Sequence, residues 1–225
     1  MYYKTLIIDD NHSFIDSLKV ILREQPFRIE STYKYFDARK ILLKNGSFIN
    51  HESVFQVLDY DANLLESEKT LKNAQKEKQD GSELPLITMP EKPILKAPVF
   101  NPDGFALVIV EYDTETGTKG HQFISEMLQN SNQWREEDFI LMTSNANKIP
   151  SQAKKLNISI IEKPIKHNAL KQLLNQKIQQ LTQLQQKIEQ IAVDHQVSLT
   201  PPAKVATPAK RASKTTEKGA SAKKK

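Results

Sequence analysis

The sequence of 225 residues contains no cysteine. A disulfide framework, a zinc site built from thiolates and a cysteine nucleophile are therefore excluded. No apolar run reaches the roughly 18 residues that a membrane-spanning helix needs, and the N-terminus lacks the apolar segment of a signal peptide. We therefore expect a soluble, cytoplasmic protein without membrane association.

Charge is distributed unevenly along the chain, whose formal net charge is +5. Residues 201–225 contain eight Lys or Arg residues and one acid, so this segment carries +7 and residues 1–200 carry −2. Alanine and one valine are its only apolar residues apart from proline and glycine, so we expect residues 197–225 to be a disordered basic tail. This composition favours nonspecific binding to the phosphates of a nucleic acid. A solubilising segment, or a docking segment for an acidic protein, would have the same composition.

Short apolar runs alternate with segments of helical periodicity. Five runs are expected to be strands, at residues 5–8, 27–31, 106–111, 139–142 and 158–161. In most of the segments between them, apolar residues recur every three or four positions, as on one face of a helix. Because parallel strands need crossover connections, the alternation predicts an α/β fold with a five-stranded parallel sheet flanked by helices.

The alternation is interrupted between residues 46 and 103. This region holds a Lys/Glu/Gln-rich helical segment and five of the chain's eleven prolines. Closely spaced prolines are incompatible with regular secondary structure. We therefore predict one domain made of residues 1–45 and 104–178, with 46–103 as an insertion that is partly helical and Pro-rich.

A long helix or coiled coil is expected at residues 168–196. Its apolar positions step by four and three residues over about three heptads, with one polar member: Leu170, Leu174, Lys177, Leu181, Leu184, Ile188 and Ile191. This a/d spacing is typical of a coiled coil and predicts a homodimer through residues 170–191. The alternative is a single amphipathic helix that packs on its own domain.

Polar side chains follow four of the predicted strands: Asp9 and Asp10, then Glu111 and Asp113, then Thr143, and finally Lys163. Functional groups of parallel α/β sheets gather at the carboxyl ends of the strands, so we expect these side chains in one crevice. Clustered carboxylates need a cation, and Mg²⁺ prefers their oxygen atoms. A lysine and a hydroxyl group across the crevice would suit a phosphoryl group.

Four short motifs occur in an order that resembles the CheY-like receiver domain of bacterial two-component response regulators. They are Ile-Ile-Asp-Asp at 7–10, Leu-Val-Ile-Val-Glu at 107–111, Leu-Met-Thr-Ser at 141–144 and Glu-Lys-Pro at 162–164. The resemblance covers residues 3–45 and 104–178. It implies a flavodoxin-like receiver fold and a phosphorelay protein that receives its phosphoryl group from a histidine kinase or phosphotransfer protein. It implies no enzymatic activity beyond phosphorylation and dephosphorylation of the receiver itself.

The resemblance also implies a role for each matching residue. Asp9 and Asp10 would hold Mg²⁺. Thr143 would be the switch hydroxyl that moves toward the phosphoryl group. Lys163 would pair with that group, and the peptide bond to Pro164 would be cis, an isomer that is rare outside proline.

The sequence departs from the family pattern at the phosphoacceptor. The family has aspartate at the end of the third strand, where this chain has Glu111, with Asp113 two residues later; both are candidates. An alternative third strand, 54–58, would place Asp59 there instead. The usual aromatic switch residue, three before the lysine, is replaced by Ile160. Glutamate carries one negative charge where aspartyl phosphate carries nearly two. We therefore also consider a phosphorylation-independent pseudo-receiver that acts as a scaffold, or as a nucleic-acid-associated protein through its basic tail.

Overall fold

The computed structural model describes residues 2–77, 86–114 and 117–201. Most of the predicted basic tail therefore lies outside the described residues. The described residues form five strands and six α-helices in the following order: β1 (Tyr3–Ile8), α1 (His12–Leu22), β2 (Phe27–Thr32), α2 (Tyr35–Asn45), α3 (His51–Glu77), β3 (Phe105–Glu111), α4 (Gly120–Asn130), β4 (Phe139–Thr143), α5 (Ser151–Lys155), β5 (Ser159–Glu162) and α6 (His167–His195). None of these described helices is both long and apolar enough to cross a membrane.

The strands form one parallel sheet in the order β2-β1-β3-β4-β5. The central strand β3 is buried along its whole length. This order is that of the flavodoxin-like doubly wound fold, so the predicted five-stranded parallel sheet is confirmed. Residues 54–58 lie within helix α3, so the alternative assignment of the third strand is wrong.

Helices cover both faces of the sheet. Because successive side chains of a strand point to opposite faces, Ile7 and Ile109 join one core cluster, whereas Ile8 and Val110 join the other. Helices α1, α3 and α6 contribute to the first cluster, and α2, α4 and α5 to the second. Burial on both faces is the reason why the central strands β3 and β4 are nearly continuous apolar runs and not alternating patterns.

Two local signals set helix boundaries near the ends of the strands. The side chain of Asn11 caps α1 by accepting a 3.0 Å hydrogen bond from the backbone N–H of Phe14. Helix α2 ends at Asn45, and the next residue, Gly46, has a φ of 72°, a positive value that glycine adopts without steric cost. Because Asn11 caps α1 directly after β1, the connection between β1 and α1 is short and contains Asp9 and Asp10.

Helix α6 packs against helix α3 of the same chain. The positions expected to form a dimer seam are largely buried in the core, next to residues of α3: Leu170, Leu174, Leu181, Ile188 and Ile191 from α6, with Val54, Val57 and Tyr60 from α3. These contacts match the alternative of a helix that packs on its own domain, and a homodimer through residues 170–191 stays an unconfirmed prediction. The inserted helix α3 covers the apolar face of α6 that a second copy would otherwise cover.

Lys177, the polar position in the a/d pattern, is also buried. Its Nζ donates hydrogen bonds to the carbonyl oxygen of Glu137 at 2.7 Å and to Oδ1 of Asp138 at 3.2 Å. Asp138 Oδ2 accepts a 3.0 Å hydrogen bond from the N–H of Arg135 and lies 3.4 Å from Nε2 of His51, in α3. A single buried carboxylate therefore joins α3 and α6 to the start of β4.

The segment 86–104 returns along α3 to β3 without helix or strand. Leu95 and Val99 are buried in the same core as α3 and α6. The N–H of Val99 donates a 3.2 Å hydrogen bond to the carbonyl oxygen of Leu199, beyond the end of α6. The two parts of the predicted insertion and the C-terminal helix thus form one packed unit, and the domain boundaries stay a prediction.

Candidate functional site

Asp9 lies at the point where the strand order reverses. It follows β1, is fully buried, and stands between β2 on one side and β3 on the other. Its Oδ1 accepts a 2.8 Å hydrogen bond from the N–H of Asn11, and its Oδ2 accepts one of 2.7 Å from Nζ of Lys163. Ligand sites of doubly wound sheets occur at this switch point, between the strands that run to opposite sides.

Glu111 ends the neighbouring strand β3 and directs its side chain into the same crevice. Its carboxylate forms an ion pair with Lys163, and its side chain is only 5% exposed. Burial raises the pKa of Glu111 above its ordinary value, while the hydrogen bond and charge of Lys163 act to lower it and the charge of Asp9 acts to raise it. The ammonium group of Lys163 thus forms ion pairs with two buried carboxylates, those of Asp9 and Glu111.

Lys163 reaches the crevice from the end of β5. Its backbone N–H donates a 2.7 Å hydrogen bond to the carbonyl oxygen of Thr143, which fixes the lysine beside β4. Its Nζ lies 3.9 Å from the ring centroid of Phe14, at the start of α1. A cation is attracted to an aromatic face at this distance. The bond between Lys163 and Pro164 is cis, so this implication of the sequence resemblance is confirmed.

Asp9, Glu111 and Lys163 form the centre of the site. The other site residues predicted from the sequence differ in how they relate to this centre. Asp10 is half-buried beside Asp9. Thr143 is buried, and its Oγ1 accepts a 3.1 Å hydrogen bond from the N–H of Asn145, in the loop after its own strand. Asp113 is exposed and forms an ion pair with Lys119, which raises the pKa of that lysine. Of the two phosphoacceptor candidates, the carboxylate of Glu111 contacts Lys163, whereas Asp113 donates a 3.4 Å hydrogen bond from its backbone N–H to Oε1 of Glu111 and its carboxylate pairs with Lys119.

Tyr35 also contacts the centre, although the sequence did not suggest it. Its hydroxyl donates a 2.5 Å hydrogen bond to the backbone carbonyl oxygen of Glu111, which lies 76 residues later in the chain. No spacing or motif connects these positions, because only the packing of α2 against the sheet brings them together. Phe14 was visible in the sequence only as an apolar position of α1.

The charges and contacts of these residues decide whether they fit a divalent cation. When ionised, Asp9, Asp10, Glu111 and Lys163 together carry −2, which favours one. However, Asn11 and Lys163 already engage both oxygens of Asp9. Within the described ranges, no three Asp, Glu or His side chains lie close enough together to hold a metal ion. In this arrangement the ammonium of Lys163 contacts both buried carboxylates, so Mg²⁺ would fit only after Lys163 had released Oδ2 of Asp9.

The fold and the site together define a class of protein: a doubly wound α/β domain with buried carboxylates and one lysine at its switch point. No family model and no curated protein matches the sequence.

Several solved structures are similar to the chain. A CheY-like response regulator receiver domain from Methylobacillus flagellatus has 13% identity and a TM-score of 0.46, with 79% of this chain and 99% of that chain covered. A receiver domain protein from Clostridium thermocellum has 12% identity and a TM-score of 0.47, with 81% and 98% covered. The receiver domain of a sensor histidine kinase from Pseudomonas aeruginosa PAO1, described with a magnesium ion in its active site cleft, has 11% identity and a TM-score of 0.42, with 79% and 98% covered. These proteins carry the description of the family that the sequence motifs resemble, and the fold assignment itself rests on the strand order.

Proposed function

We propose that this protein is a receiver-type signalling protein of a cytoplasmic two-component phosphorelay. It takes a phosphoryl group from a histidine kinase or a phosphotransfer protein, and Glu111 is the acceptor. The observation that supports this proposal is the contact of Lys163 with Glu111 and Asp9 at the switch point of the sheet. The protein is not an enzyme toward other molecules.

The chemistry assigns a task to each side chain. A carboxylate oxygen of Glu111 attacks phosphorus, the bond to the donor's imidazole nitrogen breaks, and the product is an acyl phosphate. The ammonium of Lys163 neutralises charge on the phosphoryl oxygens, and the hydroxyl of Thr143 donates a hydrogen bond to one of them. Asp113 is a weaker candidate acceptor because it is exposed and paired with Lys119.

Binding of Mg²⁺ by Asp9 and Asp10 stays a prediction. Lys163 would first have to release Oδ2 of Asp9, since that oxygen already accepts its hydrogen bond. No step above depends on the metal, and the labelling experiment below tests it directly.

A phosphorylation-independent pseudo-receiver is the second candidate. One observation favours it: Lys163 already forms ion pairs with two buried carboxylates, so the centre is held together without a phosphoryl group or a metal. In that case the domain is a constitutive scaffold, and its basic tail is the segment that binds nucleic acid.

Labelling with a small phosphodonor distinguishes the two candidates. We expect phosphoramidate or acetyl phosphate to add one hydroxylamine-sensitive phosphate to the full-length chain, and mass spectrometry to place it on Glu111. The Glu111→Gln variant should lose the label, whereas Asp113→Asn, the matched control, should keep it. Repeating the reaction in EDTA tests the metal prediction.

Each result of the labelling experiment supports a different conclusion. A label that persists in Glu111→Gln and disappears in Asp113→Asn would move the acceptor to the exposed carboxylate. A chain that takes no label, while its fold is intact by circular dichroism, supports the pseudo-receiver. Equal labelling in Mg²⁺ and in EDTA would show that the metal is not required.

A further inference from the structure

The backbone of Glu111 is tied to helix α2 through Tyr35, the first residue of that helix. The hydroxyl of Tyr35 donates its 2.5 Å hydrogen bond to the carbonyl oxygen of Glu111. Tyr35 is buried, and burial raises the pKa of its hydroxyl, which therefore keeps its proton and remains a donor. The residue that carries the proposed acceptor carboxylate is thus held at its side chain by Lys163 and at its backbone by Tyr35.

The ring of Tyr35 has little room to move independently. It stacks on Phe123 of α4, with centroids 5.1 Å apart and ring planes at 16°. Helix α4 begins at Gly120, whose backbone runs so close to Glu111 that an added Cβ would lie 2.3 Å from the Glu111 carbonyl oxygen. A displacement of this carbonyl must therefore move Tyr35 or break its hydrogen bond, because close-packed interiors transmit strain.

We propose that Tyr35 is a positioning residue that couples the charge of the Glu111 side chain to helix α2. The inference rests on the proposed function, in which Glu111 changes its charge when it accepts a phosphoryl group. A change in the pair formed by Glu111 and Lys163 shifts the end of β3, and the Tyr35 hydroxyl passes that shift to the first turn of α2. The next residue, Phe36, is 67% exposed, so the shift reaches the surface.

A double-mutant cycle with a spectroscopic readout tests the coupling. Tyr35→Phe removes the hydroxyl and keeps the stacked ring, and Glu111→Gln removes the charge and keeps the side-chain length. We expect the effects of the two substitutions on the unfolding equilibrium constant to be non-additive by a factor of about three or more. We also expect Glu111→Gln to shift the backbone amide resonances of Phe36 and Asp37 in the wild-type background and to leave them in place when Tyr35→Phe is also present.

Tyr3→Phe is the matched control. Tyr3 is a buried tyrosine at the start of β1, at the opposite end of the strands from Glu111. Its cycle with Glu111→Gln should be additive within about twofold. The inference is wrong if Glu111→Gln shifts the Phe36 amide equally with and without Tyr35→Phe, or if the Tyr35 cycle is as additive as the Tyr3 cycle.

The double-mutant cycle and the amide shifts are measured without a phosphodonor, so they do not depend on whether Glu111 is labelled. A coupled Tyr35 in a chain that takes no label would therefore overturn the phosphorelay proposal alone. An uncoupled Tyr35 in a chain labelled at Glu111 would overturn only this inference.

Discussion

Lys163 is the residue on which the crevice depends. Asp9 is fully buried and Glu111 nearly so, and both form an ion pair with this ammonium group. A buried carboxylate without a partner is costly, because the protein interior solvates charge poorly. The same lysine thus has a structural role in the resting protein and a charge-neutralising role in the proposed reaction.

Replacing Lys163 should therefore lower stability as well as abolish phosphate-dependent signalling. For Lys163→Met we expect the free energy of unfolding, measured with urea, to fall by about 3 kcal/mol, the usual cost of breaking a buried pair. The control is Lys171→Met, whose pair with Glu24 is exposed and screened by solvent, so its effect should be much smaller. Equal effects of the two substitutions would contradict the buried ion pairs.

Helices α3 and α6 contact each other and form one packed unit on one face of the sheet. The packing of α6 on its own domain explains a feature of the a/d pattern that a dimer would not: the polar position, Lys177, is buried against Asp138, which precedes β4. Polar residues at core positions of coiled coils usually reduce stability. Here the lysine satisfies a buried carboxylate, so it stabilises the packing.

The substitution Lys177→Leu distinguishes an intrachain seam from a dimeric one by the sign of its effect. Because it leaves Asp138 buried without its cation, we expect the free energy of unfolding to fall by about 3 kcal/mol, independently of protein concentration. A dimeric coiled coil would instead be stabilised by leucine at this position, and its melting temperature would rise with concentration. Thermal unfolding at two concentrations measures both quantities.

Asp138 should also make this unit sensitive to acid. Burial on its own would raise the pKa of Asp138, but the hydrogen bond from His51, the charge of Lys177 and the N–H of Arg135 together hold it below the ordinary value of 3.8. The unfolded chain therefore binds this proton first as pH falls. The stability that Asp138 contributes is complete above pH 3.8 and is lost as pH falls further, through the pKa of the folded state.

The expected result is a steeper loss of stability below about pH 4 in the wild type than in Asp138→Asn. Asp103→Asn, which removes an exposed carboxylate, is the control and should keep the wild-type slope. Urea unfolding at a series of pH values gives the slopes. Parallel curves for wild type and Asp138→Asn would show that this carboxylate does not hold the proposed charge.

At the scale of the whole molecule, charge is separated along the chain. Residues 1–200 carry −2, and the last 25 residues carry +7. If a segment of that charge binds DNA, it does so by neutralising phosphates and releasing counterions, so the binding would weaken steeply with salt. Residues 1–200 carry a net negative charge, so we expect them to contribute no attraction to the phosphates.

Removal of residues 201–225 should therefore flatten the salt dependence of DNA binding. For the full chain we expect a slope of log K against log salt of up to about −6, from about 0.9 per phosphate contacted. Fluorescence anisotropy with a labelled duplex measures it. A variant with the eight Lys and Arg residues changed to Gln keeps the length and should behave like the truncation. If either variant binds as the full chain does, the tail is not the binding segment.

Much of the site could be predicted because it depends on strand ends. Asp9 comes one residue after an apolar run and Lys163 comes two residues after another, and parallel strands bring such positions to a common edge whatever the details of packing. The choice between Glu111 and Asp113 could not be made in this way, since it depends on which carboxylate turns inward. Tyr35 was missed because it lies at the start of a helix and not at the end of a strand, and only the packing of α2 against the sheet brings its hydroxyl to Glu111.

Local patterns alone determined the sheet and the candidate crevice, because strand periodicity and strand-end chemistry are properties of short segments. The tertiary structure decided what covers the apolar face of α6 and where Lys177 finds its partner. A heptad pattern states only that a helix has a face to bury, and either a second copy or the inserted α3 satisfies that requirement equally well. Only the arrangement of the whole chain selects between them.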